Sequence, residues 1–248
     1  MTNVTTRSGD TPGLLTERKG RVLVLTMRRP DAGNRITQAL AEALVAALEE
    51  ARRDASICGC VLTGYGEVFC LGGDYMGAGP QIAGRLEFGR AHIDLFNAMA
   101  RLGKPLVAAV NGNAHAGGFS LVVACDLAFV AEDATLGLPE AAHGLFPFLA
   151  LAAVAQTMPK KLFFDIVYNA RLMSAQEACA LHIANAAVPR AQALPRAIEA
   201  VEQATRGNPD ILMLGRDLYY AGRGLSPAEA LDQSRFALAA ALAARDSA

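Results

Sequence analysis

The chain carries no surplus of charge of either sign: 23 basic residues stand against 24 acidic ones among 248, a formal net charge of −1. Lys and Arg nowhere cluster with interleaved aromatics, which argues against a nucleic-acid surface, since that draws its affinity from neutralising phosphates. Cysteines are few and wrongly spaced for a zinc or redox site. The five, at positions 58, 60, 70, 125 and 179, form no CxxC pair and lie mostly in apolar runs, as the reduced core thiols of a cytoplasmic protein would. No uncharged apolar run is long enough to span a bilayer, and residues 1–13 lack the basic start and apolar core of a leader. Internal repeats, a Walker lysine and the HExxH pairing of histidines are also missing, so neither a nucleotide phosphate site nor a metal site is expected.

What the chain does have is apolar bulk. It is 52% hydrophobic and 19% charged, enough to bury a large core and, beyond that, to expect an oligomer. Residues 1–13 are polar with Gly and Pro and read as a mobile arm. Residues 21–27, 58–64, 105–112 and 127–130 read as buried strands. Between them lie helical segments: one from Thr37, a candidate N-cap, with Leu40, Leu44 and Leu48 along one face, and one over residues 82–102. Strands alternating with helices predict an α/β core over residues 14–145 with its site beyond the strand ends. Residues 146–248 read as helical throughout, with capping boxes at Ser174–Glu177 and at Ser226–Glu229. The last helix, over residues 226–245, is too apolar to stand in water and must pack on the body or on a neighbouring subunit.

The chemistry gathers in residues 110–147. Gly117 and Gly118 sit where a strand turns into a helix, so their backbone N–H groups and the helix dipole favour a developing negative charge. Glu140 follows Gly137, Leu138 and Pro139, an apolar setting that raises a carboxyl pKa and suits it to proton transfer. Taken singly, Glu140 reads as a solvated carboxylate, Gly72-Gly73 as a turn and Gly117-Gly118 as close helix packing. Their occurrence in one chain favours a site. Other motifs fail: the sequence starting at Gly64 has Phe69 where a dinucleotide fingerprint needs its third glycine, and Ser120 lacks the second glycine of a nucleophile elbow. His143 lies three residues after Glu140 and can share its cleft, whereas His92, His115 and His182 read as structural.

At these residues the chain resembles the crotonase superfamily, the enoyl-CoA hydratase and isomerase family, over almost its whole length. VLTGYGEVFCLGGD (61–74) is similar to the family's first oxyanion-hole segment. VNGNAHAGGFSLVVACD (110–126) with AEDATLGLPEAAHGLFP (131–147) is similar to the second segment and its catalytic loop. RPDAGN, SAQEACALHIANAAVP and the Lys104-Pro105 pair match further landmarks. The resemblance implies a crotonase-like spiral of ββα units with a C-terminal helical trimerisation region, assembled as a homotrimer or a dimer of trimers. It implies an acyl-thioester substrate on coenzyme A or an acyl-carrier protein, with CoA or the phosphopantetheine arm as part of the substrate and no separate cofactor or metal. The N–H groups of Gly73 and Gly117 would form the oxyanion hole, and Glu140 would be the acid/base. Cys70, Gly72, Tyr75, Gly118, His143, Phe146 and Phe148 would line the substrate site, with Met76 and Leu149 beside them.

Two departures matter. Hydratases typically carry a second glutamate where this chain has Ser120, and a serine can hold a water or a substrate oxygen but is a poor proton carrier near neutral pH. Ser120 is therefore expected to position rather than to transfer. Enoyl-CoA isomerases, hydroxycinnamoyl-CoA hydratase-lyases and the stand-alone dehydratases of polyketide β-branching each resemble the chain at this point. The second departure is the end at Ala248, where many relatives add a helix over the CoA, so a looser hold on free CoA or closure by a neighbouring subunit is expected. The alternatives are a catalytically silent relative that binds thioesters or a partner protein, and a decarboxylase or hydrolase on the same scaffold.

Overall fold

The computed structural model describes residues 9–11, 13–75, 81–155 and 157–246. The chain opens with β1 (Gly9–Thr11), β2 (Leu14–Lys19) and β3 (Val22–Met27), a meander whose register pairs Thr11 with Leu14 and Leu14 with Met27. Part of the expected N-terminal arm is thus drawn into the sheet, because the β2 edge offers unpaired backbone groups. α1 (Gln38–Arg53) follows. Its N-cap is Thr37, which accepts a hydrogen bond from the Leu40 N–H at 3.1 Å, and Leu40, Leu44 and Leu48 are buried as their spacing predicts.

Three structural units then repeat the same path. β4 (Gly59–Gly64), β5 (Val68–Cys70) and α2 (Ile82–Ala100) form the first, and β6 (Leu106–Val110), β7 (Asn113–His115) and α3 (Gly117–Ala124) the second. β8 (Leu127–Ala131) and β9 (Thr135–Gly137) lead through a short 3₁₀ turn, Pro139–His143, to α4 (Phe148–Val154). The long strand of each unit joins a seven-stranded sheet, β1-β2-β3-β4-β6-β8-β11, and the short strand joins a four-stranded sheet, β10-β9-β7-β5. This is the ββα spiral. The three-residue strands β5, β7 and β9 are too short to show alternation, so the sequence reads through them as loop. For the same reason residues 105–112 do not run straight to Gly117: β7 intervenes.

β3 and β4 are buried at every position because both faces of the large sheet are covered. Leu23, Leu25 and Met27 point into the core shared with α1 and α2, and Val22 and Val24 point the other way, against Ala193, Ala197 and Val201. Those last three belong to α7 (Ala193–Ala204), which follows α5 (Lys160–Tyr168), β10 (Leu172–Ser174), α6 (Ala175–Ala180) and β11 (Ala186–Val188). The region after residue 145 is therefore not helical throughout. β10 pairs antiparallel with β9, and β11 pairs parallel with β8, two segments recruited by sheet edges that would otherwise stand open.

α8 (Pro209–Ala221) and α9 (Pro227–Asp246) close the chain. The Ser226 capping box forms as predicted: Ser226 Oγ accepts from the Glu229 N–H at 3.3 Å, and Glu229 accepts in return from the Ser226 N–H at 2.8 Å. α9 packs on α8 and leaves Leu231, Phe236, Leu238 and Leu242 exposed. Among the described residues no helix is long and apolar enough to cross a membrane.

Candidate active site

β5, β7 and β9 lie side by side and parallel, with Cys70 beside Ala114 and Ala114 beside Leu136. Parallel strands in register release their following loops at one end of the sheet. Residues 71–74, 116–118 and 138–140 therefore emerge together, which brings three separate stretches of sequence to one place.

The first loop is held from behind by the turn before α1. The Leu71 N–H donates to the Gly33 carbonyl at 2.9 Å, the Ile36 N–H to the Gly72 carbonyl at 2.9 Å and the Asp74 N–H to the Ile36 carbonyl at 2.8 Å. Arg29 fixes Asp74 through an ion pair of 3.0 Å. Gly72 takes φ = +105°, a conformation that residues with a Cβ rarely adopt. The turn itself is set by Asn34, buried and at φ = +51°, whose side chain accepts from the Arg29 N–H and donates to the Tyr65 and Val68 carbonyls.

In the second loop the strain falls on an unexpected residue. Ala116, at φ = +53° and ψ = −126°, occupies a sparsely populated region, a cost that persists only where surrounding bonds impose it. Its N–H donates to the Gly137 carbonyl at 2.9 Å, which also ties this loop to the strand leading to Glu140. Gly117 begins α3, so its N–H is one of the helix's unsatisfied donors. A Cβ placed on Gly117 would stand 3.5 Å from the Gly73 nitrogen. The two N–H groups are thus neighbours across a narrow gap, and neither has a hydrogen-bond acceptor among the described residues. Gly118 permits the close approach: a Cβ there would lie 2.1 Å from the Cys70 carbonyl oxygen.

Glu140, in the third loop, is 8% exposed, and its Oε2 has no hydrogen-bond partner among the described residues. Burial raises its pKa above the ordinary carboxyl value, opposed by its own backbone N–H and by His143. The expected apolar setting, with a raised carboxyl pKa, is what the structure shows. Ser120, one turn into α3, is fully buried, and its hydroxyl donates back to the Ala116 carbonyl at 3.2 Å. That leaves only its lone pairs to offer a ligand. The Cys70 thiol accepts weakly from the Gly72 N–H at 3.4 Å and burial pushes its pKa up to about 12, so it stays neutral.

Tyr75 stands over the first loop, half-exposed, its ring 5.1 Å from that of Phe88. Burial raises its phenol pKa and the Glu140 charge raises it further. Cβ on Gly73 would come within 2.9 Å of Phe88 Cζ and 3.3 Å of Tyr75 Cζ, which makes these two rings the wall behind Gly73. Phe88 is the functional neighbour that sequence reasoning missed. It shares a helix face with His92, whose ring lies 4.2 Å away and whose Nδ1 is 2.9 Å from the Phe88 carbonyl. The i, i+4 spacing of two aromatic rings was the available signal.

The remaining expected residues divide. His143 is exposed at the end of the 3₁₀ turn, near enough for its charge to act on Glu140. Phe146 is half-buried with its ring 5.3 Å from Phe148. Phe148 itself is largely exposed and, with Leu149, lines a cavity of about 350 Å³ among Ile93, Phe96, Val123 and Ala124. Val123 is six residues from Gly117 along α3, about 9 Å of helix, so this cavity lies toward the far end of α3. Met76 lies outside the described residues. Among those described, no group of three His, Cys, Asp or Glu converges to hold a metal.

Residues 17–235 match the family model described as enoyl-CoA hydratase/isomerase. The chain is 33% identical over 203 residues to the enoyl-CoA hydratase EchA19 of Mycobacterium tuberculosis, covering 80% of this chain and 76% of that protein. It is 31% identical over 224 residues to the 2,3-dehydroadipyl-CoA hydratase of Escherichia coli, covering 90% and 87%. Its fold superposes on the crystal structure of an enoyl-CoA hydratase from Mycobacterium smegmatis with a TM-score of 0.88 at 28% identity, over 93% of this chain and 91% of the other.

Proposed function

Since the chain belongs to the enoyl-CoA hydratase/isomerase family, we propose that it holds an unsaturated acyl thioester with the carbonyl oxygen between the N–H groups of Gly73 and Gly117 and moves a proton with Glu140. The observation that carries this reading is the pairing of two unaccepted backbone donors with a buried carboxyl on the adjacent strand. Donors fixed in place before the charge develops stabilise an enolate by about 3 kcal/mol each in a site that excludes water. The elevated pKa of Glu140 narrows the gap to the weakly acidic substrate carbon, which is the condition for efficient acid/base transfer.

From the shared enolate two outcomes are open to one carboxyl. In double-bond migration Glu140 takes a proton from one carbon and returns it to another. In hydration it takes a proton from water as the oxygen adds at the β-carbon, and then delivers that proton to the α-carbon of the enolate. The names of the relatives support water addition or elimination. Ser120, in the place of a second carboxylate, positions the water or a substrate hydroxyl by accepting its O–H through the free lone pairs. The arm is coenzyme A, or the phosphopantetheine of an acyl-carrier protein, which presents the same thioester. Tyr75, Phe88 and Phe146 shape the acyl end, with His143 at the rim; Gly72, Gly118 and Cys70 support the loops from below. The unpartnered apolar faces of α8 and α9 favour a homotrimer or a dimer of trimers, and the five unpaired cysteines favour a reducing, cytoplasmic setting.

Product analysis on a panel of enoyl-CoA thioesters tests the reading. Gain of water or a shifted double bond with the wild type, abolished by Glu140→Gln, is the expected result. Ser120→Ala is expected to reduce hydration while leaving isomerisation intact. No product from CoA thioesters or from the corresponding carrier-protein thioesters would establish a silent binding protein instead.

A further inference from the structure

The turn that braces the oxyanion segment carries two arginines, and they are used differently. Arg29 is neutralised by Asp74 at 3.0 Å and also donates to the Arg35 carbonyl at 2.6 Å, which fixes the backbone at that residue. Arg35 is exposed, flanked by Asn34 and Ile36, both fully buried. One of its nitrogens, Nη1, donates to the Leu71 carbonyl at 2.7 Å. No carboxylate pairs with it among the described residues.

A guanidinium has five N–H donors in a planar fork suited to phosphate and carboxylate. Here one donor is spent on anchoring the group to the oxyanion segment, and the opposite side of the fork remains open. The charge sits at the cleft rather than on a remote face. Burial raises the pKa of Cys70 and Tyr75 and lowers that of His115, and in all three the Arg35 cation pulls downward. Its field therefore reaches the oxyanion segment and the residues around it. A cation tethered rigidly to that segment, with donors to spare, has the arrangement of a recognition group.

We propose that Arg35 binds an anionic group of the substrate, through the open side of its guanidinium, and so sets which thioesters the site accepts. The anion is a phosphate of the thioester's carrier arm or a carboxylate at the far end of the acyl chain; both present paired oxygens to the fork. This inference rests on the thioester reading given above.

The test compares the wild type with Arg35→Ala and Arg35→Lys on three thioesters. Crotonyl-CoA carries phosphates, crotonyl-N-acetylcysteamine carries no anion, and the N-acetylcysteamine thioester of an unsaturated dicarboxylic acid carries only a carboxylate. Arg35→Ala is expected to raise KM about tenfold for a thioester bearing the recognised anion, with kcat and the crotonyl-N-acetylcysteamine reaction unchanged and partial rescue by Lys. Loss confined to crotonyl-CoA assigns the phosphate, and loss confined to the dicarboxylic thioester assigns the carboxylate. An equal loss on all three would make Arg35 a mere brace for Leu71 and overturn the proposal, as would no loss on any. Calorimetric binding of unreactive butyryl-CoA and of a saturated dicarboxylic thioester to wild type and Arg35→Ala gives the same comparison without catalysis. Absence of turnover by the wild type would thus count against the enzyme reading, whereas equal affinities of the two proteins for both ligands would count against this one.

Discussion

In the loops leaving β5, β7 and β9, what stands unsatisfied among the described residues is polar: two backbone N–H groups and one carboxyl oxygen. In α8 and α9 the reverse holds. Their N-termini are capped, by Asn208 and Ser226, and what stands uncovered is apolar, including Phe236 at 62% and Leu231 at 71% exposed. Unsatisfied polar groups in a dry site cost free energy that a ligand's charge recovers. An uncovered apolar helix face is recovered by another protein surface. The first region is suited to a charged ligand and the second to another protein surface, which in the proposed assembly is a second copy of the chain.

The sharpest way to separate the two regions is Glu140→Gln. The polar region predicts a fall in kcat of about 10³-fold without loss of thermal stability, because the substitution removes a buried ionisable group that has an unpartnered oxygen. Steady-state kinetics and a melting curve on the same preparation check it. In the apolar region the double substitution Phe236→Glu with Leu238→Glu should act the opposite way. Light scattering should show the wild type at a multiple of the 26.0 kDa chain mass and the variant at a single chain, with unchanged far-UV circular dichroism.

Smaller effects sharpen the comparison inside the polar region. Gly118→Ala would press a Cβ against the Cys70 carbonyl, at a cost of about 1–3 kcal/mol and a Tm lower by about 2–4 °C per kcal/mol. Gly89→Ala, in α2 with open space around it, should leave Tm unchanged or raise it slightly. The least effect is a pH dependence. Burial raises the folded-state pKa of Glu140 above its unfolded value, so the stability associated with the protonated carboxyl is full below the unfolded pKa. It is lost as pH rises through the folded one. The Tm advantage of Glu140→Gln over wild type should therefore be larger at pH 8 than at pH 4, while wild-type activity should rise across the same interval as the base form appears.

The sequence carried the long elements and the three site segments, because each has a periodic or compositional signal: Leu40, Leu44 and Leu48 for α1, the capping boxes for α6 and α9, the paired glycines and the lone glutamate for the loops. It did not carry the short strands. β5, β7 and β9 have three residues each, too few for a period of two to show, yet their parallel register is what brings the three loops together. The strain at Ala116 was equally hidden, since the sequence points to Gly117 as the residue that must turn and the positive φ falls one residue earlier. Ser120 was identified as a missing charge, but the orientation of its hydroxyl toward Ala116 depends on the helix geometry. Phe148 was assigned to the substrate site from the family resemblance after Gly144; its exposure, and the cavity it shares with Val123 and Ala124 of α3, depend on the course of the chain through that turn.

The central claim is that Glu140 exchanges a proton with a substrate carbon whose carbonyl is held at Gly73 and Gly117. Its most direct test is deuterium uptake at the α-carbon of saturated butyryl-CoA in deuterated water, read by mass spectrometry. The account predicts one or two deuterons incorporated by the wild type and by Ser120→Ala, and none above the solvent background by Glu140→Gln. Uptake that persists in Glu140→Gln would contradict it.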